Sequence, residues 1–193
     1  MNLRRAALLA AIGVMLRGGH SLFTNLIPSW DASEWSARLA MLVTAVIGPL
    51  SWAAFFFAIR REGVRVAAIA AAVMNTLDVA LVVQRQYPTF SPLSLDTISL
   101  VLGTLVPALC WLLLLLRFAG LAVSFRSASV YLVLVCLVQF GLMTYEFLDS
   151  FGQIRELWSI DSGLVLRRLV ATPLIWMFYW ITQALFLRWA QKA

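Results

Sequence analysis

Five ionisable residues interrupt otherwise apolar stretches of this chain: Arg17, His20, Asp78, Arg85 and Glu146. A charged side chain at the centre of a lipid bilayer costs about 2.5–3.5 kcal/mol on insertion scales. Such residues therefore pair with one another or face a water-filled cavity, where they serve as ion, proton or substrate sites. The chemistry that these residue types suggest is the binding or relay of a charged group inside a membrane.

Polar residues recur at one depth in three of the apolar stretches. Arg17, Asp78 and Gln139 each lie 12 or 13 residues after a basic residue that opens the stretch. At about 1.5 Å per residue, a helix places all three near the middle of the bilayer. We predict an ion pair between Arg17 and Asp78, with Gln139 as a hydrogen-bond partner and Asn75 one turn before Asp78. The three opening residues are Arg5, Arg65 and Arg126.

A second polar layer is predicted about two helical turns further along the same stretches. Asn25, Arg85 and Glu146 each lie 20 residues after the opening basic residue. Residues about two turns apart share a helix face, so both layers face the same way. We predict a second ion pair, Arg85 with Glu146, nearer the outer surface, and His20 lies between the two layers.

These polar residues allow three interpretations. They form an internal network that fixes the register of the helices, or they form a substrate or proton site in a central cavity. In the third interpretation, Arg17 and His20 contact a partner subunit or lipid head groups. Exchanging Arg17 and Asp78 should restore stability if they pair, whereas replacing either alone leaves the other charge unpaired.

The composition identifies the class of protein. Of 193 residues, 62% are hydrophobic and 12% are charged, whereas a soluble domain is about a quarter charged. A chain of this size cannot bury that much apolar surface in water, which excludes a soluble globular enzyme. The sequence therefore predicts an all-α polytopic membrane protein, and we attribute the net charge of +6 to membrane orientation rather than to nucleic-acid binding.

Catalytic and cofactor motifs are absent from the sequence. One histidine and two cysteines exclude a multi-histidine zinc site and a bis-histidine haem within one chain. Cys110 and Cys136 lie in apolar runs and are interpreted as buried small hydrophobic residues. There is no G-x-S-x-G or H-E-x-x-H. No cofactor or metal is expected, and an enzyme is the less favoured interpretation.

Six spans are predicted in a single membrane domain covering residues 1–193. Each apolar run approaches the 20 or so residues that a spanning helix needs. After the fifth span, the segment 149–168 has apolar residues at helical spacing, which predicts a short amphipathic helix on the outer surface. The spans are predicted near 6–27, 39–59, 66–86, 97–116, 129–148 and 167–188.

Basic residues predict the orientation of the spans. With both termini in the cytoplasm, the inner loops and ends hold nine Lys and Arg against one acid, and the outer side holds five against seven acids. Lys and Arg are enriched on the cytoplasmic side of membrane proteins. We therefore predict a multi-pass protein of a bacterial inner membrane with both termini cytoplasmic.

An internal repeat is predicted from the even-numbered spans. Each of them carries a threonine before a mid-span proline, and a tryptophan three or four residues after that proline. With the equally spaced basic residues of the odd spans, this pattern predicts three helical hairpins of about 60 residues in parallel orientation, an arrangement that occurs in transporters. The last span carries an aromatic cluster that either lines an apolar ligand cavity or packs on lipid, and packing is the favoured interpretation. Its members are Trp176, Phe178, Tyr179 and Trp180.

Three classes of function follow. The first is a transporter or permease-like protein with a polar site between the odd-numbered spans. The second is an accessory subunit of a membrane complex, which should show a closed core and an exposed face of small residues at Ala67, Ala70 and Ala71. The third is a membrane-embedded lipid-modifying enzyme. The expected partners are the lipid bilayer, a partner subunit or second copy, and a small-molecule substrate, without nucleic acid.

Overall fold

The apolar stretches fold as six long helices. The computed structural model describes residues 2–26, 34–86, 97–98 and 101–192, and no strand occurs in that part of the chain. All six helices are long and apolar enough to cross a membrane, which confirms the predicted all-α polytopic fold. The helices are α1 (Leu3–Ser21), α2 (Trp35–Arg61), α3 (Val64–Gln86), α4 (Val101–Phe118), α5 (Arg126–Trp158) and α6 (Ser162–Ala190).

Helix α5 is longer than the sequence pattern predicts. It runs without a break for 33 residues, from Arg126 to Trp158. The prediction of a separate short amphipathic helix in 149–168 is therefore wrong. The extension contains no proline, and its single glycine, Gly152, does not interrupt the helix. A helix of this length measures about 50 Å, against a hydrocarbon core of about 30 Å. Its last turns therefore extend beyond the apolar layer.

The six helices form a closed ring. Each helix packs against its neighbours in the chain, and α6 packs against both α5 and α1. Odd- and even-numbered helices therefore alternate around the ring.

One half of the ring is tightly packed, and we call it the packed half. It contains the first half of each odd helix and the second half of each even helix. Alanines of α1 and α3 leave room at the centre for large side chains from the even helices. The fully buried members are Ala6, Ala7, Ala10, Ala11, Ala68, Ala71, Phe55, Phe56, Leu114, Leu115, Phe125, Leu132, Cys136, Phe186 and Leu187. In this half, the rings of Phe56 and Phe186 lie 4.8 Å apart, edge to face.

Helix α1 approaches its two neighbours through glycines. A Cβ atom added at Gly18 would lie 2.6 Å from Cβ of Pro49 on α2. A Cβ atom added at Gly13 would lie 2.5 Å from Oγ1 of Thr182 on α6. Real Cβ atoms do not approach so closely. The two glycines therefore set the distance between α1 and the helices on either side.

A π-helical segment precedes the proline of each even helix. These segments are Val43–Ile47, Val101–Leu105 and Val165–Ala171, and the proline is the second residue of the α-helix that follows. Proline lacks the N–H of the regular helical ladder and its ring collides with the carbonyl four residues earlier, so a wider turn before it relieves both problems. The threefold repeat itself stays a prediction.

Candidate binding cavity

The other half of the ring, which we call the hollow half, encloses a cavity of about 1060 Å³. All six helices contribute to its wall. Small-molecule sites in proteins have volumes of about 300–1,000 Å³. The cavity is therefore large enough for a drug-sized molecule.

Five of the seven predicted site residues line this cavity. They are Arg17, His20, Asn75, Asp78 and Gln139. Glu146 is exposed on α5 and lies outside the lining. The side chains of Arg85 and Asn25 lie outside the described residues, so the Arg85–Glu146 pair and the full second layer stay predictions.

Arg17 lies against two aromatic rings of α6. The carbon of its guanidinium is 4.1 Å from the centroid of the Trp176 ring and 4.5 Å from that of Tyr179. A cation within about 6 Å of a ring face is attracted by the ring quadrupole, by about 2 kcal/mol when water is excluded. Asp78 belongs to the wall of the same cavity, and its predicted pairing with Arg17 stays a prediction.

For the aromatic residues of α6, sequence reasoning favours packing over the alternative of lining a ligand cavity. In the structure, Trp176, Tyr179 and Trp180 all line the cavity. Their spacing of three and four residues places them on one helix face, which is the available signal. Spacing alone does not show that this face meets Arg17, because that depends on α6 lying beside α1.

Two of the predicted residues also hold helices together. Asn75 donates from Nδ2 to the carbonyl of Ala108 on α4, at 3.0 Å. His20 Nε2 lies 2.8 Å from Oγ1 of Thr172 on α6, and this hydroxyl donates to the carbonyl of Arg167, also at 2.8 Å. A hydroxyl has one hydrogen, so while it bonds to Arg167 the donor in the first contact is Nε2–H of His20.

Aromatic rings close the cavity toward the packed half. Trp52 and Trp111 line the cavity, and their ring centroids lie 4.9 Å apart. The ring of Trp52 also stacks on that of Phe56 in the packed half, with centroids 5.9 Å apart. The indole Nε1 of Trp180 is buried and has no hydrogen-bond partner in the described part of the chain. Such an unpaired donor costs about 1–3 kcal/mol.

Basic side chains outnumber acidic ones in the described lining. Arg17, Arg167 and Arg168 face one carboxylate, that of Asp78. Arg167 and Arg168 are exposed on the π-helical segment of α6, at the outer part of the cavity. Over the described residues there is no group of three or more His, Cys, Asp or Glu that could hold a metal ion.

Comparison with family models, with curated proteins and with solved structures finds no match. Function therefore has to be inferred from the cavity itself. Its aromatic floor, its intramembrane cation and its amide side chains form a set of groups suited to binding and orienting a small molecule.

Proposed function

We propose that this protein is a small transporter or permease-like protein of a bacterial inner membrane. The observation that carries the proposal is a cavity of about 1060 Å³ that reaches Arg17 and Asp78 in the wall of the ring. An intramembrane ionisable residue that borders a cavity is typical of an ion or substrate pathway. A purely structural polar network would be expected to fill the space between the helices instead.

The asymmetry of the ring supports the same proposal. With both termini in the cytoplasm, the packed half closes the cytoplasmic side and the cavity belongs to the opposite side. Transport then requires the packed half to open in turn. The π-helical segments before Pro49, Pro107 and Pro173 are where the even helices can bend, because π-bulges and prolines are the common sites of sharp bends.

The accessory-subunit alternative is less well supported. It requires a closed core and an exposed face of small residues on α3. Of the three predicted alanines, only Ala70 is exposed; Ala71 is fully buried and Ala67 is partly buried against the packed half, so they do not form a continuous exposed face. A lipid-modifying enzyme is favoured by Arg167 and Arg168 at the outer part of the cavity, but Asp78 is the single acid in the described lining.

Water access at position 78 tests the proposal. We would introduce Asp78→Cys into a Cys110→Ser, Cys136→Ser background and apply a membrane-impermeant thiol reagent to each side. We expect labelling from the side opposite the termini, because the cavity wall at this position is exposed. Gln139→Cys, in the same wall on α5, provides a second reporter if Asp78→Cys does not fold.

Leu77→Cys is the matched control for this experiment. Leu77 precedes Asp78 on α3, is 46% exposed and does not line the cavity. Because this position faces lipid, a thiol placed there should resist a charged reagent. If the Asp78→Cys and Gln139→Cys variants fold and are labelled from neither side, the cavity is dry and the transport proposal is wrong.

A further inference from the structure

We infer that the ligand of this cavity is an anion: a carboxylate or phosphate group carried on an apolar, planar body, with Arg17 as the residue that binds the anionic group. The inference rests on the proposed function and names the substrate class of the same cavity.

The charge of the described lining favours an anion. The described lining holds three arginines and one acid, which is an excess of two positive charges without counting His20. The arginines are Arg17, Arg167 and Arg168, and the acid is Asp78. Arg167 and Arg168 lie at the outer part and Arg17 lies deeper, beside Trp176. An anion entering from the hollow end therefore meets basic groups at the entrance and again inside.

A cationic ligand is the obvious alternative, because an acid and several aromatic rings are typical of an ammonium-binding cage. Here two of the lining rings already contact a cation. The guanidinium of Arg17 lies over both Trp176 and Tyr179, within 4.5 Å of each centroid. A ligand ammonium would have to displace Arg17 from these rings and accept repulsion from it.

The position of Arg17 also suits it to bind an oxyanion. A guanidinium that lies over a ring uses its face for that contact and keeps its N–H donors at its edge. That edge matches the two oxygens of a carboxylate or phosphate. Holding the side chain against two rings reduces the conformational entropy that binding would otherwise cost.

The rest of the lining suits an apolar body. Trp52 and Trp111 on the floor, Pro49 and Pro107 beside them, and Leu132 on α5 offer flat and apolar surface. Aromatic rings pair best in stacked or edge-to-face geometry, as Trp52 and Trp111 already do. An aromatic acid of two rings fits both the volume and these surfaces.

Ligand stabilisation of the full-length protein tests the inference. The reporter is Cys110 in a Cys136→Ser background, because Cys110 is buried and does not line the cavity, so we expect it to react with a fluorogenic maleimide on unfolding. In neutral detergent we would compare 2-naphthoate, 2-naphthamide and 2-naphthylmethylamine at equal concentrations. We expect the carboxylate to raise the unfolding midpoint in a dose-dependent way, and the amide and ammonium to raise it little or not at all.

Variants then assign the effect to Arg17. Arg17→Gln should weaken naphthoate binding about tenfold or more, because a charge-assisted hydrogen-bonding partner is lost. Arg17→Lys should retain part of the binding. Arg155→Gln, which replaces an exposed arginine on the last turns of α5, is the matched control and should leave binding unchanged. If Arg17→Gln does not fold, the ranking of the three compounds in the wild type decides.

An anionic group could come from a solute or from a lipid head group, and a second pair of probes separates them. Dihexanoyl-phosphatidylglycerol is compared with dihexanoyl-phosphatidylcholine in the same assay. Stabilisation by naphthoate supports the inference, whereas stabilisation by phosphatidylglycerol alone would assign a lipid phosphate to Arg17 and overturn the planar body. The inference is also overturned if the amide or ammonium stabilises as well as the carboxylate, if Arg17→Gln keeps full binding, or if no anion stabilises the protein. Labelling at positions 78 and 139 then decides separately whether the transport proposal stands.

Discussion

At the scale of single residues, the two glycines of α1 control how closely its neighbours approach. Gly18 meets the ring of Pro49, and Gly13 meets Thr182. Both contacts leave no room for a methyl group, whereas Gly19, the next residue, has no heavy atom of another element within 4 Å of an added Cβ. Of these adjacent glycines, Gly18 is therefore needed for the close packing of α1 against α2, and Gly19 is not.

The contrast predicts opposite effects of two alanine substitutions. Gly18→Ala should lower the free energy of unfolding by about 1–3 kcal/mol, because the rigid proline ring cannot move aside without shifting α2. Gly19→Ala should be neutral or stabilising, because alanine favours a helix over glycine by about 1 kcal/mol. Thermal unfolding followed through the buried cysteines measures both. Equal unfolding midpoints for the two variants would show that Gly18 is not in close contact with Pro49.

At the scale of the helices, the π-helical segment of α6 is fastened to α1. The hydroxyl of Thr172 joins His20 to the carbonyl of Arg167, so it satisfies a backbone acceptor in the widened turn and also links two helices. Thr144 on α5 makes only the local kind of bond, to the carbonyl of Phe140 in its own helix. Comparing substitutions of the two threonines therefore separates the stability that comes from the interhelical hydrogen bond from the stability that comes from the local one.

Thr172→Val should destabilise the protein by roughly 0.5–1.5 kcal/mol more than Thr144→Val, because a partly buried interhelical hydrogen bond is lost in addition. A double-mutant cycle with His20→Phe should show that the effects of Thr172→Val and His20→Phe are not additive. Additive effects in thermal unfolding would mean that the two side chains do not interact in the folded protein.

At the scale of the whole molecule, the ring is packed at one end and hollow at the other. Side chains in the packed half are fully buried on every helix that contributes, whereas the hollow half borders a cavity of about 1060 Å³. Buried apolar contacts are the main source of local stability. The two ends of one helix should therefore open at different rates.

Hydrogen–deuterium exchange along α1 measures this difference. Amides of the first half, around Ala7 to Ala11, should exchange more slowly than amides from Gly18 onward, which border the cavity and lead into the π-helical turn Leu22–Leu26. Peptides from the two halves of the same helix serve as mutual controls. Uniform exchange along α1 would show that the cavity does not admit water.

Much of this architecture could be predicted from composition and from charges within apolar runs. The cost of burying a charge in lipid identifies Arg17, Asp78 and His20 from the sequence, and the structure places all three on one cavity. The cation–π contact with Trp176 could not be predicted, because it depends on ring closure between the first and last helices. The length of α5 was also missed, since a polar helical extension resembles a loop in hydropathy.

The closure of the ring by α6 has a consequence for biosynthesis. His20 bonds to a residue 152 positions later, and Ala10 accepts a bond from a residue 173 positions later. Helix α1 leaves the ribosome before α6, so Arg17 reaches its aromatic partners only after α6 is made. Until then the inserted helices form an open arc with a charge on the edge formed by α1.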